Sequence, residues 1–249
     1  MLSEERQSLI LERLRTKRAV TVQELVQDLD SSAATIRRDL TELHQKGLLQ
    51  KVHGGAVSCE CRLFHHRNPI CRRKPICLLM EKTAIAQAAA TLIEEHDFVF
   101  IDAGTTTEMM LPFVNAKNVT FVTNGTSHAA ALAARYRRVI LLGGQVKAVT
   151  GAIIGDTALQ QLDVFNFTKG FFGTNGVSIK GGFSTPDPAE AAIKAKAIHK
   201  CHRAYVLCDS SKFDKISSVT FAPLESATII TTKVKGAYHN YTEIKEVEP

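Results

Sequence analysis

The chain has 249 residues, of which 45% are hydrophobic and 22% charged, and its formal net charge is +6. This length suits one or two domains with a core large enough to fold without a metal or a disulfide. No run reaches about 18 consecutive apolar residues, which excludes a membrane-spanning helix, and the first residues lack the basic and apolar regions of a signal peptide, so we expect a cytoplasmic protein whose cysteines are reduced.

The first part of the chain predicts three short helices and a hairpin. Apolar residues at helical spacing predict the first helix over residues 3–16. The second helix follows Thr21, and Glu24 completes a capping-box pattern with it. The third helix is predicted over residues 32–46, and an apolar–polar alternation around Gly54 predicts a small hairpin after it.

The second and third helices, separated by a tight break, predict a helix–turn–helix unit whose second helix enters the major groove of DNA. With Ile36 and Leu40 turned inward, Arg37 and Arg38 lie on the outer side, where arginine binds guanine edges or phosphate. The hairpin would act as a wing against the DNA backbone. The predicted DNA contacts are Ser32, Ala33, Thr35, Arg37, Arg38, Lys51 and His53, with Arg6 and Lys17 as further candidates. The same pattern, taken alone, also fits the solvated face of a helical bundle.

A linker is predicted over residues 58–79, because this stretch has no clear period and contains Pro69 and Pro75. It holds four of the six cysteines and five basic residues against one acidic residue. Most of the net charge therefore lies in the linker, since the residues before it (nine basic, eight acidic) and after it (seventeen basic, sixteen acidic) are nearly neutral. Its cysteines and histidines match no C-x₂-C spacing, so no metal is predicted, and a zinc-dependent redox sensor is the alternative.

From residue 80 onward, short apolar runs alternate with helical stretches, a pattern that predicts a parallel sheet with helices on both faces. Strands are predicted at 98–101, 119–122, 139–142, 169–172, 205–207 and 228–230, and helices at 81–94, 126–135 and 188–200. The sequence thus predicts a DNA-binding domain over residues 1–57, the linker over 58–79 and an α/β domain over 80–249.

Most of the predicted strands end in loops rich in Gly, Ser and Thr, and ligands of open α/β sheets bind at the carboxyl ends of strands. The loop from Asp102 to Thr107 offers backbone N–H groups and three hydroxyls to a phosphate or a polyol. The candidate ligand-binding residues in these loops are Asp102, Gly104, Thr105, Thr106, Thr107, Thr123, Asn124, Gly143, Gly144, Gly173, Thr174, Asn175, Gly176, Asp209 and Lys212. None of the loops matches the dinucleotide or P-loop motif, so no cofactor such as NAD or ATP is predicted.

Two sets of motifs, one in each half, carry a family resemblance. The N-terminal set is S-A-A-T-I-R-R-D-L at residues 32–40, G-L-L at 47–49 and H-G-G-A at 53–56. The C-terminal set is D-A-G-T-T-T at 102–107, T-N at 123–124, G-G at 143–144, T-P-D-P at 185–188, E-A at 190–191 and D-S-S-K-F at 209–213. In these motifs, which occur in order along nearly the whole chain, the protein resembles the DeoR family of bacterial repressors.

The resemblance implies a winged helix–turn–helix domain followed by a Rossmann-like sensor domain, similar to ribose-5-phosphate isomerase, that binds a phosphorylated sugar without turning it over. It adds Glu190 and Lys194 to the candidate effector-binding residues. It also implies a homo-oligomeric repressor, a dimer or tetramer, that a sugar phosphate releases from operator DNA. The loops at 123–125, 141–144 and 173–176 look most like those of the fructose operon and lactose phosphotransferase-system repressors. Fructose 1-phosphate is therefore the first effector prediction and tagatose 6-phosphate the second.

Two stretches depart from the family pattern. The family usually has Lys-Arg after the Glu-Ala pair, where this chain has Lys194 and Ala195. It normally has an acidic, polar stretch where this chain has the basic residues 58–79. That stretch is either a genuine inserted linker or the product of a locally shifted reading frame or sequencing error.

The rival function is a sugar-phosphate isomerase with an accessory DNA-binding domain. An isomerase needs a base within reach of the substrate carbon, and the candidates are Asp102, Glu190, His199 and Asp209. Acidic residues beside glycines more often orient hydroxyls or cap helices. The chain is therefore predicted to be a regulator and not an enzyme.

Overall fold

A computed structural model of the chain describes residues 3–17, 19–45, 48–52, 54–58, 76–234 and 236–248. They divide into two compact units, and the chain passes from the first to the second between Met80 and Glu81. His53 and most of the predicted linker lie outside the described residues. Among the helices that are described, none has both the length and the apolar character needed to cross a membrane.

The first unit contains three helices and a small antiparallel sheet. Its elements are α1 (Ser3–Lys17), β1 (Ala19–Thr21), α2 (Val22–Leu29), α3 (Ala33–Gln45), β2 (Leu49–Val52) and β3 (Gly55–Ser58). The strands lie in the order β1-β3-β2, so the predicted hairpin gains a third strand that the sequence pattern did not predict. The three predicted helices are confirmed, and the unit has the winged helix–turn–helix arrangement.

The turn between α2 and α3 is fixed by side chains at the helix ends. The capping box is confirmed, since Thr21 Oγ1 accepts a hydrogen bond from the Glu24 N–H at 3.1 Å and the Glu24 carboxylate accepts one from the Thr21 N–H at 2.7 Å. Asp30 ends α2 in the left-handed region with φ 43°. Ser32 Oγ then accepts the Thr35 N–H at 3.2 Å at the start of α3. Satisfied N–H groups at both helix starts keep these short helices in place.

A buried ion pair joins α1 to α3 beside the apolar core of the first unit. Arg6 Nε donates to Asp39 Oδ2 at 2.5 Å, and a terminal guanidinium nitrogen of Arg6 donates to Asp39 Oδ1 at 3.1 Å. Both residues are at least nine-tenths buried. The candidacy of Arg6 as a DNA contact is therefore wrong, because its guanidinium is committed to Asp39. Lys17 stays a candidate, with its ammonium 3.5 Å from Glu24.

The second unit is built on a seven-stranded parallel sheet. Its helices are α4 (Ile76–Ala90), α5 (Thr105–Met110), α6 (Thr126–Ala133), α7 (Asp156–Asp163) and α8 (Pro188–His199). Its strands are β4 (Phe98–Ile101), β5 (Thr120–Thr123), β6 (Val139–Leu141), β7 (Gln145–Val146), β8 (Ile153–Ile154), β9 (Phe167–Gly173), β10 (Gly176–Ser178), β11 (Gly182–Thr185), β12 (Cys201–Leu207), β13 (Val219–Ala222), β14 (Thr228–Thr231) and β15 (Ile244–Glu246). The large sheet has the order β15-β14-β12-β9-β4-β5-β6, and β10-β11-β13 and β7-β8 form two small antiparallel sheets.

The predicted α/β architecture is confirmed, and each predicted strand lies in the large sheet. The helix predicted over 81–94 begins earlier, at Ile76, so the last residues of the predicted linker are helical. The sequence did not predict β15 or the small sheets, because none of these strands carries an apolar run of more than two residues.

Consecutive residues of the central strands point to opposite faces of the sheet, and both faces are buried. Phe100 and Phe172 pack with α7 and α8 on one face, whereas Val99 and Phe171 pack with α4, α5 and α6 on the other. This two-sided burial is the reason that the strands read as uninterrupted apolar runs.

The buried histidine of α6 supports the loop that follows β4. His128 is 3% exposed, and its Nε2 lies 3.2 Å from Thr107 Oγ1. Thr107 Oγ1 in turn donates to the carbonyl oxygen of Asp102 at 2.6 Å. Burial lowers the pKa of His128 to about 4, so the imidazole is neutral at physiological pH.

We expect His128→Gln to remove part of the acid sensitivity of the second unit. The pKa of His128 is about 4 in the folded protein against an ordinary value of 6.5. Its contribution to the free energy of unfolding is thus complete above pH 6.5 and is lost as the pH falls toward 4, by about 1.4 kcal/mol between about pH 7.5 and about pH 5.5. Urea unfolding at these two pH values measures it. The control is His96→Gln, at an exposed position, which should show the same difference between the free energies of unfolding at the two pH values as the wild type. His128→Gln should show a smaller difference, and an unchanged one would contradict the assignment.

We expect Asp39→Ala to destabilise the first unit by about 3–5 kcal/mol, because it leaves the Arg6 guanidinium buried without its partner. Native-state hydrogen exchange of the α3 amides measures this free energy. The matched control is Asp28→Ala, which breaks a 3.2 Å pair with Arg13 between side chains that are 46% and 32% exposed. That surface pair contributes at most about 1 kcal/mol. Equal losses in the two variants would show that the buried pair does not hold α1 to α3.

Candidate DNA-recognition helix and effector site

The outer face of α3 carries the predicted DNA-contacting arginines. Arg37 and Arg38 are exposed, and the Arg38 side chain is 84% exposed with Glu42 3.6 Å away. Ser32 is exposed, and Ala33 and Thr35 are half-buried at the start of the helix. Because Ile36 and Leu40 are fully buried on the opposite side, the orientation of this face is fixed by the core.

Lys51 on β2 connects the wing to the recognition helix. Its ammonium donates to Thr41 Oγ1 at 2.6 Å and to the carbonyl oxygen of Arg37 at 3.4 Å, and the residue is exposed. Lys51 therefore lies against α3 at Arg37 and Thr41. His53, the last of the predicted contacts, is outside the described residues.

The order of the strands creates a crevice between β4 and β9 in the second unit. After β4 the chain adds β5 and β6 on one side, and it then returns to place β9 on the other side of β4. Loops that follow β4 and β9 therefore leave the sheet in opposite directions, and in such folds ligands bind at this switch point. The loop from Asp102 follows β4, and Gly173 ends β9.

A buried ion pair lies at the switch point. The Lys194 ammonium, on α8, donates to Asp102 Oδ2 and to the carbonyl oxygen of Gly173, the latter at 3.1 Å. The Gly173 N–H donates to the same carboxylate oxygen at 3.0 Å. Asp102 is 1% and Lys194 5% exposed. The structure thus brings together three predicted site residues that are up to 92 positions apart in sequence.

Two glycines lie where the loops after β4 and β9 meet. A Cβ atom on Gly104 would lie 3.8 Å from the Cα of Gly173, and a Cβ on Gly173 would lie 3.7 Å from the Asp102 carboxylate. The two loops therefore lie against each other over the Asp102 carboxylate, which is 1% exposed.

Lys82 of α4 is a site residue that the sequence analysis missed. Its ammonium donates to Thr105 Oγ1 at 3.0 Å, and the residue is 6% exposed. Glu81 and Lys82 are the only charged residues in the α4 sequence I-C-L-L-M-E-K-T-A-I-A-Q-A-A-A. A charge pair inside an otherwise apolar helix was the signal that could have identified it.

Thr123 and Asn124 bind the loops of neighbouring strands to one another. Thr123 Oγ1 donates to the carbonyl oxygen of Ile101 at 2.6 Å, and Asn124 Oδ1 accepts the Ala103 N–H at 2.8 Å. Both side chains are at most 1% exposed. Their observed role is to shape the Asp102 loop.

The remaining predicted loops lie at the same edge of the sheet with partners of their own. The Gly143 N–H donates to Gln161 Oε1 at 2.8 Å, Thr174 Oγ1 donates to the carbonyl oxygen of Gly176 at 2.8 Å, and Asn175 Oδ1 accepts from Thr185 Oγ1 at 3.2 Å. Gly144 has φ +143°, a backbone conformation that side chains rarely adopt. Thr106 is buried in the first turn of α5.

Glu190 does not join the Asp102–Lys194 pair. Its carboxylate accepts from the Lys147 ammonium at 2.8 Å and from Thr150 Oγ1 at 3.1 Å. The same ammonium donates to Asp187 at 2.6 Å, and this bond lowers the pKa of Asp187. Glu190 therefore helps to hold the segment between β7 and β8 against the start of α8.

Asp209 caps the short helical turn that follows β12. Its carboxylate accepts the Ser211 N–H at 3.2 Å and also the Ser211 hydroxyl. Lys212 is half-buried in the same turn. The neighbouring Ser210 donates its N–H to the Glu81 carboxylate at 2.9 Å, a contact that the sequence did not predict.

The described part of the chain contains no group of three or more His, Cys, Asp or Glu side chains that could hold a metal. The cysteines and histidines of the linker, from Cys59 to Cys71, lie outside it. Cys201 and Cys208 are free thiols, and burial raises the pKa of Cys201 to about 12. Both thiols are therefore unreactive at neutral pH.

Comparisons with known proteins cover both units. Residues 6–62 match the DeoR-like helix-turn-helix domain, and residues 79–233 match the DeoR C terminal sensor domain. The Bacillus subtilis (strain 168) protein called "Uncharacterized HTH-type transcriptional regulator FruR" is 44% identical over 255 residues, covering 100% of each chain. The Lactose phosphotransferase system repressor of Staphylococcus aureus (strain NCTC 8325 / PS 47) is 34% identical over 233 residues, covering 92% of each chain.

Among solved structures, ribose 5 phosphate isomerase A from Neisseria gonorrhoeae is similar to 55% of this chain and 53% of its own, with 15% identity and a TM-score of 0.40. The family matches extend over the recognition helix and over the loops at the sheet edge. The chain therefore belongs to the DeoR family of transcriptional regulators, with a helix–turn–helix domain followed by a sensor domain.

Proposed function

We propose that this regulator represses a sugar-utilisation operon in the cytoplasm and leaves its operator when a phosphorylated sugar binds the sensor domain. Fructose 1-phosphate is the first effector choice and tagatose 6-phosphate the second. The observation that carries the proposal is the buried Asp102–Lys194 pair, beside the hydroxyls of the Asp102–Thr107 loop and the Lys82 ammonium. Homo-oligomers, dimers or tetramers, would present two recognition helices to two half-sites of operator DNA.

A phosphorylated sugar fits this set of groups in both of its parts. A phosphate is an acceptor, and the hydroxyl of Thr105 and the ammonium of Lys82 are donors 3.0 Å apart that can both turn to it. A sugar ring offers hydroxyl donors, and the Asp102 carboxylate is an acceptor at the floor of the crevice, held in place by Lys194 and Gly173. The other loops that carry predicted effector contacts follow strands of the same parallel sheet.

The names of the relatives support a sugar effector. One relative is called a FruR regulator and another a lactose phosphotransferase system repressor.

The isomerase alternative lacks a base that is free to act. The carboxylates of Asp102, Glu190 and Asp209 are each bonded to protein donors. His199 ends α8 two residues before β12 begins, which places it at the amino edge of the sheet, opposite the crevice. Turnover of ribose 5-phosphate or fructose 6-phosphate in a coupled assay would support the enzyme, and we expect none.

We expect Arg37→Ala and Arg38→Ala each to weaken operator binding by at least about tenfold, since a bidentate arginine–base pair contributes about 1–3 kcal/mol. Fluorescence anisotropy measures this with a DNA fragment that the full-length protein selects from a random pool. Arg137→Ala, an exposed arginine of the sensor domain, is the control and should bind like the wild type. Full, salt-sensitive affinity in both α3 variants would overturn the assignment of the recognition helix.

We expect fructose 1-phosphate at about 100 times its Kd to stabilise the sensor domain by about 2.7 kcal/mol, a rise in Tm of several degrees. A thermal-shift panel tests this with fructose 1-phosphate, tagatose 6-phosphate, fructose 6-phosphate, ribose 5-phosphate and inorganic phosphate. Lys82→Met should lose most of the response, while Lys117→Met, at an exposed position, should keep it. The proposal fails if no sugar phosphate stabilises the wild type, and the site assignment fails if Lys82→Met responds fully.

A further inference from the structure

Helix α4 is continuous across the boundary between the two units. It runs from Ile76 to Ala90, and the chain passes from the first unit to the second between Met80 and Glu81. Glu81 is thus the first residue of the second unit. Glu81 therefore lies where the chain enters the second unit, five residues after the start of α4.

The Glu81 carboxylate accepts three hydrogen bonds from two loops at the carboxyl edge of the sheet. Oε2 accepts from the Ser210 N–H at 2.9 Å and from Thr232 Oγ1 at 2.9 Å. Oε1 accepts from Ser210 Oγ at 3.1 Å. These loops follow β12 and β14, which are neighbours in the sheet. A charged acceptor with three donors makes a strong anchor for the start of α4 in the sensor domain.

The next residue of the same helix belongs to the proposed effector site. Lys82 bonds Thr105 in the loop after β4, so consecutive residues of opposite charge fasten α4 to different loops of one sheet edge. A phosphate that binds Thr105 and Lys82 adds negative charge at the residue that follows Glu81 in the helix. The phosphate and the Glu81 carboxylate then share one cation of the helix, Lys82. A single positive charge neutralises the repulsion between these two anions only in part.

We propose that Glu81 is the positioning residue through which the sensor domain reports effector binding to the DNA-binding domain. In the effector-free protein its carboxylate holds the start of α4 on Ser210 and Thr232. A phosphate at Lys82 weakens these bonds by like-charge repulsion and releases the first turns of α4. This inference rests on the proposed function, because it takes the anion at Lys82 to be the effector.

The variant Glu81→Gln tests the inference without any ligand. An amide cannot accept three hydrogen bonds as a carboxylate does, so the variant should resemble the effector-bound state. We expect the operator affinity of the full chain, without sugar phosphate, to fall by about 5- to 150-fold, the usual range of allosteric coupling. Addition of fructose 1-phosphate should then change the affinity less than about twofold, against the full change in the wild type.

Glu95→Gln is the matched control. Glu95 is a sensor-domain carboxylate five residues beyond the end of α4, and it accepts a hydrogen bond from Asn118 at 2.8 Å. It should behave as the wild type does. Thr232→Val, which removes one of the three donors to Glu81, should give an intermediate loss of operator affinity, and it keeps the inference testable if Glu81→Gln does not fold.

Hydrogen exchange distinguishes a released helix from a general loss of structure. In Glu81→Gln the amides of residues 78–84 should exchange faster than in the wild type, while those of α8 stay unchanged. Fructose 1-phosphate, or whichever probe of the thermal-shift panel binds, should produce the same pattern in the wild type. If Glu81 had only a structural role, the ligand and the substitution would not speed up exchange of the same amides.

The outcomes separate the inference from the proposed function. If Glu81→Gln keeps the operator affinity and the response of the wild type, the inference is overturned while a normal thermal shift leaves the proposed function intact. If no sugar phosphate stabilises the wild type, the proposed function fails. In that case unchanged operator affinity and unchanged α4 exchange in ligand-free Glu81→Gln would overturn the inference as well.

Discussion

The reversal of strand order at β4 is the constraint on which the sensor domain depends. Because the chain fills one side of β4 first and then crosses to β9 on the other side, the loops after these strands diverge and leave a crevice. The Asp102–Lys194 pair lies at this point and is shielded from solvent. Two buried charges are tolerated there because each has the other as its partner and because Gly173 contacts both. Its N–H donates to the Asp102 carboxylate, and its carbonyl oxygen accepts from the Lys194 ammonium.

In the DNA-binding domain, α3 carries a buried charge on one face and exposed charges on the other. Asp39 of α3 faces inward and fixes α1 through Arg6, whereas Arg37 and Arg38 of the same helix face outward. The buried pair and the apolar core set the rotation of α3, and that rotation determines which side chains are available to DNA. The net charge of the domain contributes little, since it has nearly as many acidic as basic residues.

Helix α4 carries one pair of charged residues in an otherwise apolar sequence. An apolar face packs on the sheet, while Glu81 and Lys82 bond to loops at the sheet edge. A helix held only by its apolar face would be insensitive to an anionic ligand, because apolar packing does not respond to charge. The proposed response of the helix to an anion therefore depends on the charge pair.

The sequence by itself determined the elements whose signals are local. The Thr21–Glu24 capping box, the inward spacing of Ile36 and Leu40 and the apolar runs of the central strands each depend on residues a few positions apart, and each was confirmed. The loop motif after the first predicted strand also identified Asp102 as a candidate, and the family resemblance added Lys194, although not as its partner. These signals were enough for the two-domain plan and for the family.

Only the tertiary structure decided which side chains meet across the chain. Arg6 became a core residue because Asp39, 33 positions away, faces it, and Glu81 is bonded to Ser210, 129 positions away. Neither contact leaves a periodic trace in the sequence, since hydrogen-bond and charge pairing over such separations depend on strand order and helix packing. Sequence patterns record the environment of a residue along its own element, whereas the identity of its partner is fixed only when distant elements are packed together.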